Sequence, residues 1–292
     1  MRLNAAASCD VAEIPARGAE FHSPRGAVPP LLKWTGSKRS QAAQIAALAP
    51  AYNRYFEPFL GGGALLYLLG RPGSVGGDSY APLMDFWTMV RDDPESLIED
   101  YRRQWKSLQA DFPDYFYLVR DRFNREQRPQ DLNFLMRTCV NGIARFSRKG
   151  KFNNSFHLSR RGMQPRRFAE IVRDWSCCVA NIEFMCGDFS VTVAGSRAGD
   201  FVYMDPPYAG NKQRYIGNLE IDRFFTALEE LNRRDVKWAL SFDGARGSTV
   251  YEHAVPPDLY LRKKSIPSGH SAVAKVLNGP VEMVTESLYL NY

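Results

Sequence analysis

The stretch Arg54-Tyr55-Phe56-Glu57-Pro58-Phe59-Leu60-Gly61-Gly62-Gly63-Ala64-Leu65-Leu66-Tyr67-Leu68-Leu69 restricts the fold of this 292-residue chain more than any other. A β-rich run, a triple glycine and a leucine-rich helical run follow one another without a spacer. Glycine lets the backbone turn from strand into helix where a Cβ would obstruct it, so the segment reads as the first unit of a βαβ fold. Before it, residues 41–50 are expected to form a helix ending near Pro50; after it, a strand over 74–78 ends at Asp78. Strand and helix alternate again late in the chain. Strands are expected over 178–185, 201–204 and 237–241, the last broken by Phe242-Asp243-Gly244, with a helix over 221–232 and further strands at 259–264 and 281–290.

Between these halves lies a different pattern. Leu83, Phe86, Trp87 and Val90, then Leu97, Ile98, Tyr101 and Trp105, are spaced for one helical face. Helices are also expected over 131–140 and 165–174. The turn signals Asn141-Gly142 and Lys149-Gly150 frame 143–147 as a hairpin or ordered loop. The expected organisation is an α/β sheet domain formed by 29–83 and 176–292, a mostly helical insertion over 84–175, and a leader over 1–28 rich in Ala, Gly and Pro.

Apolar residues make up 45% and charged residues 24%, enough for a sizeable core. No run approaches the ~18 to 20 apolar residues of a membrane span. Residues 1–20 lack a basic start and a continuous apolar run, so the cytoplasm is the expected compartment. Five cysteines (Cys9, Cys139, Cys177, Cys178 and Cys186) without a CxxC argue against a disulfide framework or a zinc site, and no metal is expected. Cys177 and Cys178 are expected to pack in a strand. The net charge is +6, yet residues 137–173 hold ten basic side chains against one acid, Glu170. Surface basic clusters are common, but an excess of one sign favours a polyanion, nucleic acid first.

Three motifs carry chemistry. In Tyr203-Met204-Asp205-Pro206-Pro207-Tyr208 a hydrophobic strand ends in a carboxylate, two prolines and an aromatic. Ligands of open α/β sheets collect at the carboxyl ends of strands, and prolines leave carbonyl acceptors with no competing donors. A carboxylate, a carbonyl and a flat ring suit an exocyclic amine on a ring; the alternative is a proline-rich turn. The second motif is the glycine turn with Asp78 fifteen residues beyond Gly63. An acid there bonds ribose hydroxyls in Rossmann-like folds, or caps a helix. It is neither the GxGxxG fingerprint nor a phosphate loop. The third is Lys33-Trp34-Thr35-Gly36-Ser37-Lys38, two lysines around an aromatic and a glycine turn, which alone reads as an exposed basic loop.

The order of these motifs, LKWTGSK, FLGGGAL, Asp78, a basic insertion and DPPY, resembles the Dam-type, α-class DNA adenine N6-methyltransferases from about Leu31 onward. The resemblance implies a Rossmann-like methyltransferase sheet with a helical DNA-recognition insertion, S-adenosylmethionine as methyl donor, and adenine in double-stranded DNA as acceptor. It implies a bacterial or phage-encoded enzyme, expected to act as a monomer. By position, Trp34, Lys38, Phe59, Gly61, Gly63, Asp78, Asp188 and Asp205 correspond to donor-binding residues, and Asp205, Pro206, Pro207 and Tyr208 to the catalytic tetrad. Lys33 and Arg145 correspond to base-contacting side chains. Asn141, Ser147, Lys149, Lys151, Arg160, Arg161, Arg166 and Arg167 are expected on the DNA side. Ser147-Arg148 and Asn153-Asn154-Ser155 depart from GATC-modifying relatives, which leaves the recognised site open. The competing readings are methylation of cytosine N4 or of an amino group in RNA or protein, and an inactive DNA-binding module. Asp205 with the basic insertion argues against the RNA or protein reading, and the intact glycine turn and tetrad argue against the inactive one.

Overall fold

The computed structural model describes residues 28–159, 161–207, 220–246, 249–251, 255–270 and 283–292. Tyr208, Arg160 and the leader up to residue 27 lie outside the described residues.

A short 3-10 turn over Lys38–Ser40 runs into helix α1 (Ala42–Ala46). Strand β1 (Tyr55–Glu57), helix α2 (Ala64–Leu69) and strand β2 (Val75–Asp78) form the expected first βαβ unit. Five helices follow before the sheet resumes: α3 (Ala81–Asp92), α4 (Pro94–Ala110), α5 (Asp114–Glu126), α6 (Pro129–Thr138) and α7 (Pro165–Val179). Pro94, Pro129 and Pro165 each occupy the first position of their helix, where the missing N–H has no intrahelical partner to lose and φ is already set. The second half contributes β3 (Glu183–Cys186), α8 (Phe189–Val193), β4 (Phe201–Met204), α9 (Ile221–Arg233), β5 (Lys237–Arg246), β6 (Thr249–Tyr251), β7 (Arg262–His270) and β8 (Met283–Leu290).

The strand order is β3-β2-β1-β4-β5-β8-β7, with β6 paired to β5. The first five strands of this order are parallel to one another; β8 runs antiparallel to both β5 and β7. Side chains alternate between two cores, as a strand covered on both faces requires. Tyr55, Phe201, Tyr203 and Ala239 face the core shared with α2 and the helical segment. Phe56, Val202, Met204, Trp238 and Leu240 face the core shared with α8 and α9.

Three local expectations are corrected. The strand expected from Cys178 is helix as far as Val179, because Phe168, Ile171, Val172, Trp175 and Val179 keep one buried helical face through that point. Cys177 is therefore exposed and Cys178 half-buried on a helix, not packed in a strand. The break expected at Phe242-Asp243-Gly244 lies inside β5, absorbed as a register shift against β8 between Ser241 and Gly244. The helix expected to reach Pro50 closes at Ala46.

One basic residue of the insertion belongs to the core. Arg137 is only 4% exposed. Its guanidinium donates to the carbonyls of Pro30 and Leu31 and to Asn133 Oδ1, and it lies 4.7 Å from the Phe168 ring centroid. Burial pushes its pKa down to about 10. It fastens the segment leading into Lys33 and Trp34 to the helical layer.

Candidate active site

Strand order reverses between β1 and β4: β2 and β3 extend one way, β5 the other. Parallel sheets open a crevice at the carboxyl ends of the strands flanking such a switch point. Here β1 ends at Glu57 and runs into the glycine turn, β2 ends at Asp78, and β4 runs directly into Asp205. A cleft open to solvent occupies this position. Trp34, Lys38, Phe59, Gly61, Gly63, Asp78 and Asp205, scattered along the sequence, all line it, together with Pro207.

The glycine turn is required by the aromatic residues pressed against it. Gly61 and Gly63 have φ of 47° and 65°. A Cβ on Gly61 would fall 2.8 Å from Trp34 Cδ1, and one on Gly63 would fall 2.9 Å from Trp87 Cζ2. Trp87 Nε1 donates to the Gly61 carbonyl at 3.0 Å, which fastens the turn to α3. Asp78 ties the two strand ends together: its carboxylate accepts from Gly61 N at 3.2 Å and from Tyr80 N at 3.1 Å. Burial pushes its pKa up, and those backbone donors pull it back.

Asp188 takes another place. It caps α8 through Ser190 N at 3.0 Å and pairs with Arg223 Nη2 at 2.7 Å, outside the residues lining the cleft. Its neighbour Phe189 stacks on Phe59 with centroids 5.6 Å apart, so this helix buttresses the cleft wall.

The floor holds a cluster of charge that the motifs did not announce. Lys38, 5% exposed, places Nζ 2.7 Å from Asp205 Oδ1 and 3.2 Å from Glu286 Oε2. Glu57 is fully buried beside them and accepts a hydrogen bond from Tyr55 OH at 2.9 Å. Burial pushes the Glu57 carboxyl up to about 8, which favours its neutral acid form. Asp205 is pushed up to about 6, first by burial; Lys38 holds it down and Glu286 adds to the rise. Sequence reading singled out neither Glu57 nor Glu286. The available signal was an acid inside an otherwise apolar strand run, in Tyr-Phe-Glu and in Glu-Ser-Leu-Tyr-Leu.

On the opposite wall the loop after α6 closes as the expected hairpin. Bridges join Phe146 to Phe152 and Cys139 to Phe156, and Ser147 N donates to Lys151 O at 2.8 Å. Ser147 Oγ accepts from the backbone N–H of Lys149 and Lys151, so this hydroxyl builds the turn. Asn141, Arg145, Arg148, Lys149 and Lys151 are exposed. Lys33 is half-buried, its stem against Gly142. Phe146 reaches from the hairpin into the cleft wall, 5.5 Å from Tyr80, which lies 6.1 Å from Trp34.

Part of the remaining basic excess is paired. Arg166 and Arg167 both pair with Glu170, at 3.4 and 3.0 Å, and Arg173 pairs with Glu95 at 2.7 Å. Arg161 lies 4.1 Å from the Phe112 ring centroid. Among the described residues, Arg145, Arg148, Lys149 and Lys151 form no ion pair, which concentrates the unpaired charge on the hairpin. No three His, Cys, Asp or Glu side chains gather as metal ligands among the described residues, and no described helix is long and apolar enough to cross a membrane.

A family model described as D12 class N6 adenine-specific DNA methyltransferase matches residues 34–255. A type II methyltransferase, M.MjaIII, of Methanocaldococcus jannaschii is 33% identical over 203 residues, 62% of this chain and 69% of that protein. A DNA adenine methylase of Serratia marcescens is 31% identical over 189 residues, 61% of this chain and 66% of its own length. A DNA N-6-adenine-methyltransferase of Escherichia phage P1 is 28% identical over 229 residues, 74% of this chain but 30% of that longer protein.

Proposed function

The chain belongs to the D12 class of N6 adenine-specific DNA methyltransferases, and from that premise we propose that the cleft binds S-adenosylmethionine and presents Asp205 to N6 of an adenine turned out of duplex DNA. The observation that carries the reading is the convergence of Asp205 with the glycine turn on one cleft at the switch point.

The cleft has the chemistry this donor needs. Thr35 Oγ1 is buried with no hydrogen-bond partner among the described residues, Asp78 offers a carboxylate for ribose hydroxyls, and Trp34, Tyr80 and Phe59 offer aromatic faces to a sulfonium cation. The bound donor supplies an activated methyl group, so the work left to the chain is positioning and polarisation. Adenine N6 is a weak nucleophile because its lone pair is conjugated with the ring. Asp205 and the Pro206 carbonyl accept its two N–H bonds, which favours a tetrahedral nitrogen with the lone pair directed at the methyl. The positive charge that develops on N6 is stabilised by the same acceptors. Tyr208 is assigned to stack on the extruded ring.

The direct experiment is transfer of labelled methyl from S-adenosylmethionine to duplex DNA, followed by nucleoside chromatography. The expected product is N6-methyladenine. Label found only in N4-methylcytosine, RNA or protein would overturn the reading. The accepting form of Asp205 is the carboxylate, so the single-turnover rate is expected to rise with pH through about 6 and to fall below it as protonation removes an acceptor.

The hairpin is assigned to DNA contact, with Arg145 reading a guanine edge and Lys149 and Lys151 contacting phosphates. Neutralising Arg148, Lys149 and Lys151 together is expected to reduce the slope of log affinity against log salt by about two to three ions. Neutralising Arg166 and Arg167 is expected to change it by about one at most, since the single Glu170 carboxylate already offsets one of the two charges. Filter binding between low and moderate salt separates the two sets.

A further inference from the structure

Lys38 occupies a position that the substrate needs. Its ammonium donates to Asp205 Oδ1 at 2.7 Å, so one acceptor of the carboxylate is engaged before any base arrives. The lysine is too deeply enclosed to retreat into water, with 5% of its side chain exposed. A second carboxylate reaches the same ammonium from the far end of the chain: Glu286, on β8, lies 3.2 Å from Lys38 Nζ. Its Oε2 is buried and accepts no well-directed hydrogen bond among the described residues. Sheet pairing fixes it there, opposite Ile266 of β7 and Gly244 of β5.

We propose that Glu286 is a positioning residue that draws the Lys38 ammonium away from Asp205 when the adenine amino group takes its place. The inference rests on the methyl-transfer reading of the site. The lysine remains protonated and no bond is made or broken; one charge contact at Asp205 is exchanged for another at Glu286. The charge balance agrees. Glu57, on β1 and hydrogen-bonded by Tyr55, is held toward its neutral form by burial. The cluster of Lys38, Asp205 and Glu286 then carries one net negative charge, matched to the positive charge developing on N6. Without the Glu286 carboxylate, withdrawing Lys38 from Asp205 gives up that ion pair in a buried site with no Glu286 contact to offset it.

The test is a double-variant cycle on single-turnover methyl transfer, with donor affinity and thermal midpoint measured alongside. Glu286→Gln is expected to slow transfer about 10- to 100-fold with the dissociation constant for S-adenosylmethionine unchanged. Glu286→Asp, which keeps the charge, is expected to recover part of the rate. In a Lys38→Met background, Glu286→Gln is expected to add no further loss, because the lysine it serves is gone. Because Glu286 pushes Asp205 up, removing its charge is also expected to move the acid limb of the rate profile to lower pH. Multiplicative losses in the double variant, or an acid limb that stays in place, would overturn the proposal while leaving the methyl-transfer reading intact. A wild-type protein that methylates no DNA removes that reading and this inference with it.

Discussion

Asp205→Ala is expected to lower the single-turnover rate of methyl transfer by about 100- to 1000-fold or more, while donor and DNA affinities stay close to those of the wild type. The asymmetry follows from where the residue sits. Asp205 directly follows β4, whose Phe201 to Met204 are buried on both faces and paired with β1 and β5, so the backbone that presents the carboxylate does not depend on its side chain. The donor site is built by the β1 turn and the β2 end, held by Gly61 to Asp78 and Trp87 to Gly61 hydrogen bonds that the substitution leaves in place. The loss therefore falls on the step in which N6 acquires positive charge. Asp205→Asn keeps one acceptor oxygen, but Lys38, 2.7 Å from Oδ1, competes for it, so its rate should lie between alanine and wild type. Rapid-quench measurement with saturating donor and DNA decides the matter. A variant that turns over at more than a few per cent of the wild-type rate would move the accepting role to another group.

What the chain disclosed before folding depends on how local each feature is. The β1–glycine–α2 unit and the β4–Asp205 junction are encoded within about ten to fifteen neighbouring residues, as hydrophobic runs stopped by glycine or proline, and such signals survive in any context. Much of the cleft lining followed from the same source, since the ends of β1, β2 and β4 supply it beside the Trp34–Lys38 segment and Phe146. The charge cluster was not legible because it joins a 3-10 turn near one end of the chain to β8 near the other. Nothing in either segment announces that β8 inserts antiparallel beside β5, and only that pairing carries Glu286 to Lys38. The adjacent cysteines were misplaced for a related reason. A short apolar run suits a strand or a helix equally, and the face begun at Phe168 decides for helix through Val179.

Charge counting failed most plainly at Arg137, which the tally assigned to a basic surface and the fold buries. Arg137→Ala is expected to destabilise the protein by about 2 to 4 kcal/mol, from unpaired carbonyls and a cavity left behind by the side chain. The carbonyls of Pro30 and Leu31 would lose their donor, and the packing against Phe168 would go with the guanidinium. The loss is partial because Trp175 Nε1 still holds Pro29 O at 3.1 Å. Arg137→Met fills the space and removes a desolvated charge, so it is expected to cost less than alanine while leaving the same carbonyls unpaired. Because Pro30 and Leu31 lead directly into Lys33 and Trp34, both variants are expected to weaken donor binding in proportion to their instability. Urea titrations and equilibrium dialysis with S-adenosylmethionine measure the two effects. A surface arginine behaves in the opposite way: its removal leaves the unfolding midpoint where it was and reduces the salt slope of DNA binding by about one ion. That outcome would place Arg137 among the DNA-facing residues and detach the Pro30–Leu31 segment from the account of how the cleft is built.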